Sequence, residues 1–278
     1  MFSLSGKTCV VTGASRGLGR AMALAFAEQG ADVVAAARSG DDLATLEREI
    51  EAKGRKCLVE VVDVTDLGRL STLAERALRH FGRLDAWVNN AGGFSSEPGA
   101  MSEWLEVSER GWDAMIRLNL TAQVFGAQAA ARAMRQAGKG GLILFLSSID
   151  SLYAAPGGEG IYAACKAALN SVVQSMAIEL GQFGIRVNAL APAIVETPLT
   201  QPWLKTPEER RERALFYPLR RVGQPADVAG AAVYLASDEA AWVSGAVLLI
   251  SGGAVMTSDP YRYLQRVNRD LVDAPRSP

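Results

Sequence analysis

The chain has a single histidine, His80, and only three cysteines, Cys9, Cys57 and Cys165. One histidine cannot furnish a histidine-rich metal site, and no partner pattern around His80 points to a Ser-His-Asp device. His80 closes an amphipathic segment and reads as a helix-end residue. Three cysteines in strand-like or helix-like surroundings read as reduced thiols of a reducing compartment, not as a disulfide framework. Cys165, next to Lys166, is where a reactive thiol would sit if there were one. Charge of one sign is missing as well: 29 basic residues face 30 acidic ones, for a net charge of −1. That gives no electrostatic basis for binding nucleic acid or an anionic membrane. Long hydrophobic runs are absent too. The longest, 142–146, falls far short of a bilayer span, and residues 1–7 lack the apolar stretch of a signal peptide. A cytoplasmic protein with no metal centre is the expectation.

What is present is a regular alternation. Residues 8–12, 32–37, 57–62, 86–89, 141–146, 186–190 and 247–250 read as strands. Residues 18–29, 41–52, 67–81, 109–137, 161–183 and 226–236 read as helices. The strands are continuous apolar runs, as expected where both faces are buried. Repeated strand-helix units predict an α/β fold, a doubly wound parallel sheet of about seven strands with helices on both faces. No linker or repeat interrupts residues 1–253, which reads as a single domain, with 198–220 as a substrate lid. Residues 254–278 form a tail with a weak apolar stripe at Tyr261, Leu264, Val267 and Leu271.

Two local patterns carry chemistry. The first strand runs into Thr12-Gly13-Ala14-Ser15-Arg16-Gly17-Leu18-Gly19, where a helix begins. Glycines at such a turn let a phosphate approach the backbone, and the helix N-terminus offers free N–H groups and partial positive charge. This is the Rossmann-type nucleotide turn. The second strand ends Ala37-Arg38-Ser39, without the acid that would meet a ribose 2′-hydroxyl. Arg38 and Arg16 suit a 2′-phosphate instead, so NADP is expected and NAD is the less favoured cofactor. The second pattern is Tyr162-Ala163-Ala164-Cys165-Lys166, preceded by Ser148. Residues four apart on a helix share a face. A nearby ammonium favours phenolate, so the Tyr162 pKa is expected to fall from its usual value near 10, towards one at which a proton can be traded with an alcohol or carbonyl oxygen.

The ordered set of motifs resembles the short-chain dehydrogenase/reductase family of the single-domain type, from Ser5 to Gly253. Its pieces are TGASRGLG at 12–19, Asp63-Val64, Asn89-Asn90-Ala91-Gly92, Asn119, Ser148, Tyr162 and Lys166, then NALAPAIVET at 188–197. RVGQP at 221–225, Ser244-Gly245 and Gly252-Gly253 complete the set. The resemblance implies that Gly13, Ser15, Arg16 and Leu18 line the pyrophosphate and adenosine ribose, and that Arg38 and Ser39 meet the 2′-phosphate. Asp63 and Val64 would contact adenine. Asn90, Ala91 and Gly92 would lie along the ribose and nicotinamide, with Val195 and Thr197 on the carboxamide. Ser148 would bond the substrate oxygen, Tyr162 would move the proton, and Lys166 would hold the nicotinamide ribose. Asn119 would place a water linking Lys166 to solvent. The implied activity is hydride transfer between NADP(H) and a ketone or secondary alcohol. The alternative is a catalytically idle dinucleotide-binding sensor or scaffold. An epimerase or dehydratase would call for a larger C-terminal substrate domain.

Four positions depart from the pattern. The step from Ser148 to Tyr162 is one residue longer than usual, which leaves room for Ser147 or Ser151 to take part. Ala193 replaces a Gly, Cys165 a Ser, and Ser251 an Asp. The segments 93–108, 149–160 and 198–220 should border the substrate, and they carry Phe94, Trp104, Leu152, Tyr153, Leu199, Trp203, Leu204, Phe216 and Tyr217. An apolar or aromatic carbonyl compound is the modest expectation. Charges at 208–213 read as a solvated helix face. The Ala-rich helices 109–137 and 161–183 are expected to pair across subunits into a homotetramer, with a dimer as the alternative.

Overall fold

The computed structural model describes residues 1–254 apart from Ala154 and Pro156; the stripe expected at Tyr261, Leu264, Val267 and Leu271 lies outside the described residues. The seven strands are β1 (Thr8–Thr12), β2 (Asp32–Ala37), β3 (Cys57–Val61), β4 (Ala86–Asn89), β5 (Gly141–Leu146), β6 (Ile185–Pro192) and β7 (Val247–Ile250). They form one parallel sheet in the order β3-β2-β1-β4-β5-β6-β7. The main helices are α1 (Gly17–Glu28), α2 (Gly40–Ala52), α3 (Leu67–Phe81), α4 (Glu109–Ile116), α5 (Ala122–Ala137), α6 (Gly160–Leu180), α7 (Pro207–Ala214) and α8 (Pro225–Ala236).

Side chains of a strand alternate between faces, and each face has its own core. Cys9 and Val11 of β1 point into the layer formed with α1, α2 and α8, while Val10 points into the layer formed with α3, α5 and α6. Leu142 and Leu144 of β5 follow the first set, and Ile143 and Phe145 the second. This two-sided burial is why the strands lack polar alternation.

Successive strands run outward from β1 in one direction, and after β3 the chain returns to place β4 on the other side of β1. The reversal opens a crevice at the carboxyl ends of β1 and β4, where ligands of doubly wound sheets bind. Thr12-Gly13 and Asn89-Asn90 therefore meet there.

Two departures from the sequence expectation have physical causes. β6 runs past Leu190 to Pro192, because pairing with β5 stops at Leu190 while β7 continues alongside up to Ile250. The segment 109–137 is broken by a π turn at Arg117–Thr121, which holds the fully buried Asn119. Such turns recur at functional sites. Segment 198–220 carries α7, started by a capping box of Thr206 and Glu209 and with no buried residue, as expected of a solvated helix face.

Candidate active site

The crevice is tied together through Thr12. Its Oγ1 donates to Val88 O at 3.1 Å and accepts from the backbone N–H groups of Asn90 and Ala91, each at 3.1 Å. Asn90 Nδ2 donates back to Thr12 O at 2.8 Å and Gly13 O at 3.2 Å. The turn after β1 and the turn after β4 are thus one hydrogen-bonded unit. Gly13 (φ +66°) takes a left-handed conformation that L side chains avoid. A methyl group at Gly19 would lie 2.3 Å from Gly13 O, so no side chain fits there. The first turn of α1 has no side-chain cap and no acid. Its N–H groups are open to an anionic ligand, as a pyrophosphate requires.

The other residues expected at the nucleotide are arranged around this turn. Ser15 and Leu18 are half-buried, with Leu18 packed against the core. Arg16, Arg38 and Ser39 are exposed. Neither guanidinium has a hydrogen bond or ion pair among the described residues, so both remain available to a phosphate. Asp63 is held by Thr65, whose N–H and Oγ1 donate at 2.9 and 2.7 Å. Those bonds, with Arg38 nearby, keep its carboxyl below the usual range. Val64 is buried. Asn90 and Ala91 are half-buried and Gly92 is exposed. Buried Val195 pairs with Gly223. A methyl group at Gly17 would sit 3.6 Å from Thr197 Cβ, so the 195–197 segment closes over the Gly-rich turn.

Ser148, Tyr162 and Lys166 come together at the end of β5. Buried Lys166 donates from Nζ to Leu146 O at 2.6 Å, and Nζ stands 5.3 Å from the centre of the Tyr162 ring. The ammonium therefore lies against the face of the phenol, and burial lowers its pKa from 10.5 to about 8. Tyr162 corrects the sequence expectation. Its pKa is raised, not lowered; burial is the main cause, the neighbouring Asp150 adds to it, and a hydrogen bond with Ser148 opposes it. Desolvation dominates at this phenol.

The Asn119 side chain is committed within the protein. Its Oδ1 accepts from Gly93 N at 2.8 Å, and its Nδ2 donates to Gly93 O at 2.8 Å and Met115 O at 3.2 Å. The amide pins the backbone at Gly93 to the π turn. Gly92 lies between Asn119 and Lys166: a methyl group there would be 2.9 Å from Asn119 Oδ1 and 3.6 Å from Lys166 Nζ.

Ser147 and Ser151 do not share the role of Ser148. Ser147 Oγ donates to Asn170 Oδ1 at 2.8 Å, and Ser151 Oγ accepts from Asn170 Nδ2 at 2.9 Å. Both tie the loop to α6. The three cysteines are free, and burial raises Cys57 to about 12 and Cys165 to about 11, so Cys165 is not a reactive thiol. Among the described residues no group of His, Cys, Asp and Glu could hold a metal, and no helix is long and apolar enough to cross a membrane.

The apolar residues expected at the substrate divide. Phe94 stacks edge-on to Tyr162 at 5.2 Å and to Trp203 at 5.7 Å. A methyl group at Gly93 would meet Leu199 at 3.3 Å, so segment 198–220 touches this wall. Leu204 and Tyr217 are buried supports, and the Tyr217 hydroxyl accepts from Ile194 N at 3.3 Å. Trp104, Leu152 and Phe216 are exposed. Residues to which the sequence analysis gave no role are Thr12, Gln123 and Asp150. Gln123 is buried beside Ala91, with Oε1 unpartnered. Asp150 accepts from Ser148 Oγ at 2.9 Å. Its signal in the sequence is an acid two residues after Ser148, in the lengthened loop.

A parallel doubly wound sheet with an open Gly-rich turn beside a Ser-Tyr-Lys cluster defines a nucleotide-dependent oxidoreductase. Comparison with known proteins carries this to a family. Residues 13–255 match a family model described as enoyl-(acyl carrier protein) reductase. The chain is 38% identical over 254 residues to the 3-oxoacyl-(acyl-carrier-protein) reductase FabG of Thermotoga maritima, covering 91% of this chain and 99% of that protein. It is 37% identical to 3beta-hydroxysteroid dehydrogenase 1 of Eggerthella lenta, over 91% of this chain and 95% of that protein. A solved putative short-chain alcohol dehydrogenase from Sinorhizobium meliloti superposes with a TM-score of 0.83 at 38% identity, covering 91% of this chain and 97% of that one. This protein belongs to the short-chain dehydrogenase/reductase family.

Proposed function

We propose that the protein is an NADP(H)-dependent carbonyl reductase or alcohol dehydrogenase acting on a ketone or secondary alcohol of apolar or aromatic character. The convergence of Ser148, Tyr162 and Lys166 at the switch point of the sheet carries this reading. Relatives support the reaction class and span several substrates: an L-rhamnose 1-dehydrogenase (NAD(P)(+)) of Azotobacter vinelandii is 40% identical. A solved 7 alpha-hydroxysteroid dehydrogenase complexed with NADH and 7-oxo glycochenodeoxycholic acid is 34% identical, with a TM-score of 0.83.

Gly13, Ser15, Arg16 and Leu18 would hold the pyrophosphate and adenosine ribose, with Asp63 and Val64 at the adenine. Arg38, Ser39 and Arg16 favour the 2′-phosphate of NADP, because two uncommitted guanidiniums stand where an acid would favour NAD. Asn90, Ala91, Gly92, Val195 and Thr197 would place the nicotinamide. When bound, NADP(H) supplies or accepts the hydride at the carbonyl carbon. Tyr162, protonated at neutral pH by virtue of its raised pKa, gives its phenolic proton to the carbonyl oxygen in reduction. Ser148 donates a hydrogen bond to that oxygen as charge grows on it, and Lys166 stabilises the phenolate left behind. Phe94 and Trp203 form an apolar wall beside Tyr162. Segment 198–220 would serve as the lid, and a homotetramer in the cytoplasm completes the proposal.

The test is NADPH consumption, followed by absorbance, against a panel of ketones. Replacing Tyr162 by Phe should lower turnover about 10²–10⁴-fold, the usual contribution of a general acid. Undiminished turnover in that variant would refute the mechanism.

A further inference from the structure

We propose that Asp150 is a positioning residue that sets where the Ser148 hydroxyl proton points, so that Ser148 can serve carbonyl reduction only when the Asp150 carboxyl is protonated. This rests on the mechanism above, in which Ser148 donates to the substrate oxygen. A hydroxyl has one proton to give. Here Ser148 Oγ gives it to Asp150 Oδ2 at 2.9 Å while accepting from Asp150 N at 3.2 Å. Tyr162 shares a hydrogen bond with Ser148. The three groups form a chain, Tyr162 to Ser148 to Asp150, in which the Ser148 proton points towards the acid. With Asp150 ionised, Tyr162 can turn to a carbonyl oxygen but the Ser148 proton stays committed. With Asp150 protonated, its O–H can donate to Ser148 Oγ, and Ser148 can give its own proton to the substrate.

The placement of Asp150 is fixed by its surroundings. It sits in the short turn Ile149–Ser151, for which Ser148 is the cap. Ser151 N and Leu152 N close that turn onto Ser148 O and Ile149 O, at 3.1 and 3.0 Å. Asn170 of α6 reaches Ser151 Oγ at 2.9 Å, which anchors the turn to the helix that carries Tyr162 and Lys166. The charged and titratable groups around Asp150 are Glu159 and Tyr162 at the start of α6 and Tyr217 in segment 198–220, each with its pKa raised chiefly by burial and further by the Asp150 charge. Arg213 of α7 acts in the opposite sense on Glu159 and Tyr217. Burial raises the Asp150 carboxyl above the ordinary range, and the Ser148 hydrogen bond opposes that rise. The extra residue between Ser148 and Tyr162 falls in this loop.

The experiment has two arms. In the first, the Asp150 carboxyl of the free protein is titrated by carbon NMR, with Asp150→Asn to assign its signal. The proposal expects a midpoint above that of an ordinary aspartate, and a further rise in Ser148→Ala, which removes the donor to the carboxylate. An ordinary midpoint that Ser148→Ala leaves in place overturns it, whatever the enzyme turns over. In the second arm, kcat for carbonyl reduction is followed against pH. Wild type should lose about tenfold or more as Asp150 ionises, the scale of one lost donor to a developing oxyanion. Asp150→Asn, whose amide can donate to Ser148, should hold the low-pH rate across that range, and Asp150→Ala checks that removing the acid alone also removes this limb. An Asp150→Asn profile that keeps the wild-type limb overturns the proposal while leaving the reductase mechanism standing. Full activity in Tyr162→Phe fails the mechanism instead.

Discussion

Lys166 keeps its ammonium only while the pH stays below about 8, because burial lowers its pKa from 10.5. The charged form predominates below that value and disappears above it. If the ammonium stabilises the Tyr162 phenolate, turnover should fall as the pH rises through about 8, a limb read from kcat against pH and separate from the one assigned to Asp150. Lys166→Met should lack the limb together with most of the activity. A second residue-level test concerns Arg38. Its guanidinium is exposed and, among the described residues, makes no ion pair. Arg38→Asp should lower the NADPH to NADH preference, measured as a ratio of kcat/KM, by about tenfold or more, since it exchanges a phosphate partner for a ribose hydroxyl partner. Of the individual residues, the sequence showed which types stand at the site but not the balance of forces on them. Tyr162 and Lys166 were visible from their spacing. That desolvation would raise the tyrosine depends on contacts such as that with Phe94, made by residues distant in the chain.

Elements were legible where local pattern and burial agree. β1, β2, β4, β5 and β7 have the bounds expected from their apolar runs. The π turn at Arg117–Thr121 was not, because nothing in Arg-Leu-Asn-Leu-Thr breaks a helical period. It exists because Asn119 must turn inward to reach Gly93, which is a tertiary demand. The Gly-rich turn shows the reverse case, in which local sequence dictates a tertiary fit. Gly19→Ala would push a methyl group to 2.3 Å from Gly13 O and 2.4 Å from Asn90 Nδ2, two atoms of the bridge between the β1 and β4 turns. The expected result is a destabilisation of about 1–3 kcal/mol by overpacking, seen in urea unfolding, with a loss of NADPH affinity seen in fluorescence titration.

At the scale of the whole molecule, the helices expected to meet other subunits present large apolar groups outward. Trp112 of α4 is 39% exposed, Phe125 of α5 43% and Ile178 of α6 83%. A protein that assembles through these helices should run as a tetramer by light scattering, and Phe125→Asp should shift it to a smaller species. A monomeric wild type would refute the assembly. The doubly wound parallel sheet of about seven strands was readable from the strand-helix alternation; the strand order was not, because it is set by pairing between distant segments. Nor was the substrate, since it depends on which side chains of 198–220 turn inward: Trp203 does, while Phe216 does not.

The grip of Asn119 on Gly93 has a consequence for how such an enzyme can change its diet. An amide that meets both the N–H and the C=O of one residue imitates a neighbouring strand, so the stretch beyond β4 is held as firmly as the sheet it leaves. Phe94 stands on that stretch and, in the function proposed above, would serve as a fixed jaw beside the reacting carbon. The opposing jaw, with Leu199 and Trp203, belongs to a segment that only touches it. New substrates should therefore be acquired by recutting the second jaw, and swaps confined to residues 198–220 should alter which carbonyl compound is accepted while leaving the hydride and proton chemistry in place.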